Sequence, residues 1–145
     1  MFKLPEINTK ETKEKVEEIL EEYRIALLSE PVENYPKITQ TFSLLPPSTN
    51  NKYNSSTEEV AVKRVDLEIA RKKLIKEVQQ ATNRLPFRER SIIVLRYMQQ
   101  DQMFDYEVYN ELGLSERSYY RLKARAFYNL AFVLKIEVYK EATTA

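Results

Sequence analysis

The sequence predicts an all-α protein, and three observations support this. The chain has 145 residues with one glycine and many Glu, Lys, Leu and Arg, and such a composition favours helices over sheet. Apolar side chains recur at intervals of three and four residues over several long segments. Turn-forming residues are concentrated between those segments. We therefore expect N-terminal helices and a long linker helix, followed by a small helical module at the C-terminal end.

The first predicted helix begins near Thr9 or Thr12 and ends near Ser29. Either threonine carries a hydroxyl that can cap a helix N-terminus. An apolar stripe repeats at helical spacing along this segment: Val16, Ile19, Leu20, Tyr23 and Leu27. Glutamates crowd the opposite surface. We interpret them as a solvated face rather than a metal site, because no turn brings their carboxylates together on one ion.

Residues 30–57 are predicted to form an irregular linker. Pro31 and Pro36 end the first helix, and residues 45–57 are rich in proline, asparagine and hydroxyl side chains. Residues 38–42 alternate apolar and polar side chains, which fits a short extended segment. A mobile tether is the expectation for so long a connection. The alternative is a partner-binding segment that uses three aromatic residues: Tyr35, Phe42 and Tyr53.

A long helix is predicted from about Glu58 to Arg84, capped by Ser56 or Thr57. Its apolar ridge consists of Val60, Leu67, Leu74, Val78, Ala81 and Leu85, broadened by Val62, Val65 and Ile69. A helix of about 27 residues spans roughly 40 Å, which is longer than a small domain requires. Together with the first helix and the linker, it makes up a helical N-terminal region of residues 1–84.

The length of this ridge predicts a homodimer. The first helix offers one matching stripe that covers only part of the ridge, and soluble monomers seldom leave an apolar strip in water. Two protomers would bury the remainder together and place two copies of the C-terminal module on one face of the assembly. The alternative folds the first helix and residues 132–139 over the same ridge within one chain.

Residues 85–139 are predicted to form a helix-turn-helix domain. Pro86 separates it from the long helix and occupies a favoured first helical position. Gly113 falls where a helix end needs a residue that tolerates positive φ. Ser115 can then cap the next helix, and Leu114 can fill the corner between the two helices.

The end of the chain is expected to continue the second helix of the motif. Residues 132–139 are mostly apolar and are predicted to extend that helix and to pack against the long helix. Residues 140–145 are expected to fray as a tail.

The second helix of the motif separates into two faces. The predicted inward stripe is Tyr119, Leu122, Ala126 and Leu130. No acidic residue occurs from Arg117 to Leu134, and guanidinium groups pair with guanine edges or phosphates. We expect base-edge contacts from Arg117, Ser118, Tyr120 and Arg121, and phosphate contacts from Lys123 and Arg125. The alternative is a solvated basic face on an ordinary helix.

Two stretches of this module resemble the sigma-factor domain, region four, that binds the upstream promoter element. The opening helix of that domain is similar to LPFRERSIIVLRY at 85–97, and its recognition helix is similar to GLSERSYYRLKARA at 113–126. The sequence departs from that pattern in two places, since no glycine follows Tyr97 and Tyr109 replaces a small alanine.

With a variable helical half before such a module, the whole chain resembles the autolysin-regulatory (ArpU) family of phage and prophage transcriptional regulators. The resemblance implies a regulator of late phage genes, such as those for packaging and lysis. It also implies double-stranded DNA as the partner, with host RNA polymerase assisting.

The composition argues against most catalytic chemistry. Cysteine and histidine are absent, so there is no thiolate metal site and no imidazole base. The neighbouring carboxylates of Asp101, Asp105 and Glu107 lie at a loop and a helix start, where capping explains them. We therefore expect no enzymatic activity, no catalytic residue, no cofactor and no bound metal.

No apolar run approaches the roughly twenty residues that span a bilayer, and the N-terminus does not resemble a secretory signal. We therefore expect no membrane association and a location in the cytoplasm of a bacterial host, at the nucleoid. The alternative function is a small DNA-packaging protein, similar to a terminase small subunit, or a recombination protein that binds viral DNA as an oligomer. A protein-interaction adaptor is a third possibility.

Overall fold

A computed structural model describes residues 3–46 and 59–141 of the protein. Within these ranges the helices are α1 (Thr9–Leu28), α2 (Glu59–Asn83), α3 (Phe87–Tyr97), α4 (Asp105–Glu111) and α5 (Glu116–Leu134). A 3-10 turn at Val32–Asn34 precedes a small antiparallel hairpin of β1 (Lys37–Ile38) and β2 (Leu44–Leu45). The prediction of a mainly helical protein is confirmed. No described helix is both long and apolar enough to cross a membrane.

Helix α1 is capped by Asn8. Its side-chain oxygen accepts a hydrogen bond from the Glu11 backbone N–H at 3.0 Å. The predicted caps, Thr9 and Thr12, are therefore wrong, because both residues already lie inside the helix. The predicted apolar stripe is confirmed, with Ile19 partly buried and four members fully buried: Val16, Leu20, Tyr23 and Leu27.

The main core lies where α1, α2, α3 and α5 meet, so both of the predicted regions contribute to it. Among its members are Val16, Leu20, Val78, Ile93 and Leu130. Tyr23 is fully buried there, and its hydroxyl accepts a hydrogen bond from the Gln79 amide at 3.3 Å. Burial raises the pKa of Tyr23 to about 12, so the hydroxyl stays neutral in the core.

The first part of the predicted linker is docked on the helices. Leu44 is buried, and its backbone N–H and C=O both bond to the Asn83 side chain, at 2.8 and 2.9 Å. The Arg90 guanidinium donates two bonds to the Thr41 carbonyl, at 3.1 and 2.9 Å. The prediction of a mobile tether is therefore wrong for residues 30–46, because α2 and α3 hold this segment through hydrogen bonds.

Two of the three aromatic residues of the alternative partner-binding segment pack against the protein itself. Tyr35 and Phe42 both lie against the main core. The Phe42 ring is 5.8 Å from that of Phe87, between ring centroids. Tyr53 lies outside the described residues, as do the predicted helix caps Ser56 and Thr57.

Helix α2 is buried only in its C-terminal half. Val78 is fully buried, whereas Val62, Leu67 and Ile69 are 58%, 54% and 54% exposed. A helix turns about 100° per residue, so Val62 and Ile69 lie on the side opposite Val78. They therefore do not broaden the ridge, as the sequence pattern predicted, but form a separate exposed apolar surface.

Helix α5 ends earlier than predicted. Lys135 adopts a left-handed conformation (φ 59°, ψ 41°) that terminates the helix after Leu134. The chain then runs extended, and the Asn8 N–H donates to the Val138 carbonyl at 2.7 Å. The predicted helical extension through residues 132–139 is therefore wrong from Lys135 onward, because pairing with the segment before α1 satisfies the backbone instead.

This pairing also holds the first residue of the predicted frayed tail. Ile7 forms a β-bridge with Tyr139, and the Lys140 N–H donates to the Glu6 carbonyl at 2.9 Å. Residues 142–145 lie outside the described part of the chain.

Candidate nucleic-acid interface

A tight turn joins α4 to α5. Gly113 has φ +66°, and the Leu114 N–H donates to the Tyr109 carbonyl at 2.8 Å, which closes the end of α4. The Ser115 hydroxyl accepts a bond from the Ser118 N–H at 3.2 Å and so caps α5. The predicted roles of Gly113 and Ser115 in this turn are confirmed.

A second apolar cluster holds the first half of α5 on α3 and α4. Its buried members are Ile92, Leu95, Val108 and Tyr119, with Leu112, Leu114 and Leu122 packed at its edge. Tyr119, Ala126 and Leu130 are fully buried, as the inward stripe predicted, whereas Leu122 is only partly buried. The outward face of α5 is therefore well defined, because the inward face is packed along its length.

Three arginines form a row on this outward face. Arg117, Arg121 and Arg125 are exposed and follow one another at intervals of four residues, so they share one side of the helix. None of them forms an ion pair with another residue in the described parts of the chain. The guanidiniums of this arginine row therefore lie at the surface without a carboxylate partner in the described residues.

The other two predicted base contacts flank the row. Ser118 is half-buried, and its backbone N–H is already used by the cap at Ser115. Tyr120 is 46% exposed and lies beside a groove between α5 and the first turns of α1. Lys13 of α1 lines the same groove. Tyr120 therefore stands at the edge of the outward face, next to α1.

Lys123 lies inside the protein rather than on the outward face. Its side chain is only 14% exposed, and its ammonium is 3.0 Å from the Asp105 carboxylate. Burial alone would lower the pKa of Lys123, but its bonds to Tyr97 and Asp105 outweigh burial and raise it. The sequence contained a signal for this position, since Lys123 follows the buried Tyr119 by four residues and so shares its face.

Asp105 is the residue whose role the sequence patterns did not reveal. One of its carboxylate oxygens accepts bonds from Arg96 Nε at 3.2 Å, Tyr119 Oη at 2.5 Å and Lys123 Nζ at 3.0 Å. Burial would raise the pKa of Asp105, but the bonds from Tyr119 and Lys123 outweigh burial and lower it. Burial and the Asp105 carboxylate together raise the pKa of Tyr119.

Two phage proteins are similar to this chain over almost its whole length. The uncharacterized phage-related protein Lin1259/Lin1739 of Listeria innocua is 35% identical over 140 residues, which cover 97% of this chain and 98% of that protein. Protein Gp66 of Listeria phage A118 is 28% identical over 141 residues, which cover 95% and 96%. No family model and no solved structure matches the sequence. The chain belongs to the same family of phage-related proteins as the Listeria innocua protein.

Proposed function

We propose that this protein is a sequence-specific regulator of phage transcription that binds double-stranded DNA and has no enzymatic activity. In this proposal α4, the turn at Gly113 and α5 are a helix-turn-helix, with α5 as the recognition helix. The arginine row carries the proposal, because its three guanidiniums lie on one face of a packed helix and pair with no carboxylate in residues 3–46 and 59–141, which matches the chemistry of DNA binding. The phage-related family supports a role in a phage. The resemblance to the autolysin-regulatory family is what suggests late phage genes, such as those for packaging and lysis, as the targets.

The arginine row is suited to enter the major groove. That groove is about 12 Å wide and accommodates one α-helix, whose first turns contact base edges in helix-turn-helix proteins. Arg117 and Arg121 lie in the first two turns of α5 and are assigned to bases, with Ser118 and Tyr120 beside them. Arg125 lies one turn further and is assigned to a phosphate.

The first test of this function is a pair of arginine variants. Arg121→Ala should weaken binding to a selected site by about 1–3 kcal/mol, because a guanidinium that pairs with a base is lost. Arg125→Ala should make the negative slope of log affinity against log salt about one unit shallower, as expected for the loss of one phosphate contact. Fluorescence anisotropy with a labelled duplex measures both quantities.

Lys15→Ala is the matched control. Lys15 is an exposed cation on the side of α1 opposite Lys13, and Lys13 lines the groove beside α5. The Lys15→Ala substitution removes the same charge and should leave both the affinity and the salt slope unchanged. Wild-type affinity and slope in both arginine variants would remove α5 from the DNA interface.

The genomic location of the bound DNA separates the proposed function from its alternatives. Selection of bound fragments from the phage genome should recover promoter regions of late genes. Recovery of a packaging start site would instead favour a packaging protein. Failure to recover any fragment would favour a protein-interaction adaptor.

We also propose that two copies assemble through the exposed half of α2, with host RNA polymerase as a further partner at the promoter. A single helix-turn-helix makes few base contacts, so a second copy would supply the specificity of a two-fold site. Val62 and Ile69 are more than half exposed and lie one heptad apart, with Val65 half-buried between them. Apolar residues at this spacing form a seam along which two helices can pair.

Sedimentation equilibrium at micromolar concentration tests the dimer. The wild-type protein should show a dimer mass, and Ile69→Glu should reduce it to the monomer mass. Arg71→Glu is the control, because Arg71 is an exposed neighbour on a different side of α2. A monomer mass for the wild type at every concentration would exclude a preformed dimer.

A further inference from the structure

We infer that Asp105 and Lys123 form an internal ion pair that positions Tyr120 and the arginine row for DNA, and that neither residue contacts DNA itself. The inference rests on the proposed function of α5, and it assigns Lys123 a positioning role in place of the predicted phosphate contact.

The Asp105 carboxylate ties three helices together at one point. It lies in the first turn of α4 and receives Arg96 from α3, and Tyr119 and Lys123 from α5. Two cations surround one carboxylate, so the bonds are charge-assisted and directional. Apolar packing alone permits small sliding of one helix past another, whereas these bonds fix where α5 sits on α4.

The surroundings of Lys123 keep its ammonium inside the protein. The ammonium lies 5.5 Å from the ring centroid of Tyr97, 5.8 Å from that of Phe127 and 5.9 Å from that of Tyr120. Cation–π attraction to three rings adds to the ion pair with Asp105. To reach a phosphate, Lys123 would have to give up all of these contacts at once. The arrangement therefore favours an internal role.

Tyr120 connects this cluster to the outward face. Its ring packs edge-on against Tyr119, with 5.1 Å between ring centroids, and also lies over the Lys123 ammonium. Asp105 holds both of these neighbours, since it accepts a bond from the Tyr119 hydroxyl and one from Lys123. Loss of the carboxylate would therefore release both supports of an exposed side chain assigned to bases.

The salt dependence of DNA binding separates a positioning role from a phosphate contact. Lys123→Met keeps the apolar stem and removes the ammonium. It should weaken binding roughly 2- to 150-fold, the range that corresponds to the coupling energies of residues in direct contact, and leave the salt slope unchanged. Arg125→Met is the matched variant and should lower the slope by about one unit. A slope lowered by about one unit in Lys123→Met would overturn the inference.

A double-mutant cycle tests whether the two residues act together. Asp105→Asn alone should also weaken binding, and the double variant Asp105→Asn/Lys123→Met should bind no more weakly than the weaker single variant. Losses that multiply in the double variant would show that the residues act independently, which would also overturn the inference.

Glu89→Gln controls for general loss of stability. The Asn129 amide donates to both oxygens of the buried Glu89 carboxylate at 3.1 Å, so this pair also ties α3 to α5, and these hydrogen bonds do not involve Tyr120. Well below its unfolding temperature, Glu89→Gln should keep wild-type affinity. An equal loss of affinity in Glu89→Gln would mean that destabilisation explains the effect, against the inference.

A measurement without DNA keeps the positioning role testable if the proposed function fails. The NMR signals of the Tyr120 ring should move towards averaged, solvent-exposed values in both Asp105→Asn and Lys123→Met. Unchanged ring signals in both variants would overturn the inference. If the wild-type protein binds no selected DNA but both variants show shifted Tyr120 ring signals, the proposed function is overturned and the positioning role stands.

Discussion

Helices α2 and α5 have similar sequence patterns but different surroundings. Both are long, with 25 and 19 residues, and both carry apolar residues at helical spacing. Helix α5 is packed from Tyr119 to Ala131, and its outward face carries cations. Helix α2 is packed only towards its C-terminal end, and its first half exposes Val62, Leu67 and Ile69. Apolar periodicity therefore predicts that a helix forms, but not what covers it.

The difference also concerns the chemistry of the exposed surface. Charged side chains are ordinarily exposed to water, so the outward face of α5 needs no partner to cover it. An apolar face in water loses the burial that stabilises most helices in proteins. The first half of α2 therefore gains more from an apolar partner than α5 does.

The largest expected difference between the two helices comes from one substitution made in each. Leu130 is fully buried in α5, so Leu130→Ala should cost about 2–5 kcal/mol of unfolding free energy through the cavity it leaves. Leu67 is 54% exposed, so Leu67→Ala should change stability by less than about 0.5 kcal/mol in the monomer. Urea denaturation at low protein concentration measures both. Equal costs would mean that the first half of α2 is packed in solution.

Breaking a partly buried ion pair should also cost more unfolding free energy than breaking an exposed one, although the difference is smaller than for the two leucines. Asp105→Asn should cost about 1.5–3 kcal/mol at neutral pH, the range for hydrogen bonds to a charged group. Lys73 and Glu77 of α2 form an exposed pair at 3.9 Å, so Glu77→Gln should cost less than about 1 kcal/mol. A loss in Asp105→Asn no greater than that in Glu77→Gln would show that the partly buried cluster adds no stability.

The pH dependence of the Asp105 contribution has a definite sign. The pKa of Asp105 is lowered in the folded protein. The ionised carboxylate therefore contributes its full stabilisation of the fold at pH values above the pKa of Asp in the unfolded chain, which is about 3.9. This stabilisation is lost as the pH falls through the folded value. The stability difference between wild type and Asp105→Asn should therefore shrink below about pH 4. Urea denaturation of both proteins from pH 7 downwards checks this, and a constant difference would contradict the assigned pKa shift.

The two residues that end α4 and α5 in a left-handed conformation provide a third comparison, with effects of about 1–2 kcal/mol. Gly113 and Lys135 both have positive φ, at 66° and 59°. Gly113→Ala should destabilise by the left-handed penalty alone, because no atom lies within 4 Å of the added Cβ. Lys135→Gly should stabilise, because it removes the same penalty. Thermal unfolding of both variants measures the changes, and shifts of the same sign would contradict this explanation.

The smallest expected effects come from alanines on the two exposed surfaces. Ala124 and Ala70 are both exposed, in α5 and α2 respectively. Ala124→Gly should lower the free energy of unfolding by about 1 kcal/mol. This is the usual cost of glycine relative to alanine inside a helix, and we expect it in full because α5 should unfold together with the rest of the protein. Ala70→Gly should cost less than about 0.5 kcal/mol in the monomer, because the first half of α2 opens locally at low free energy. Equal costs would show that α2 unfolds as one cooperative unit.

The sequence alone determined the features that depend on near neighbours. Gly113 and Ser115 were recognisable because a turn between two helices needs a positive φ and then a hydroxyl cap. The buried faces of α1 and α5 followed from spacings of three and four, since side chains at those intervals share one side of a helix. The three arginines of the outward face were identified in the same way. Their contacts with DNA remain a prediction.

Only the tertiary structure decided the features that join distant parts of the chain. Asp105 meets Arg96 and Lys123 because three helices cross at one point, and no local spacing specifies such a crossing. The docking of Leu44 on Asn83 likewise depends on how the helices pack against one another. The strand pairing of residues 6–8 with the end of the chain depends on this packing too. The same packing leaves the first half of α2 exposed. Local hydrogen bonds and helical periodicity are set by residues a few positions apart, whereas these contacts form only when whole elements find their partners.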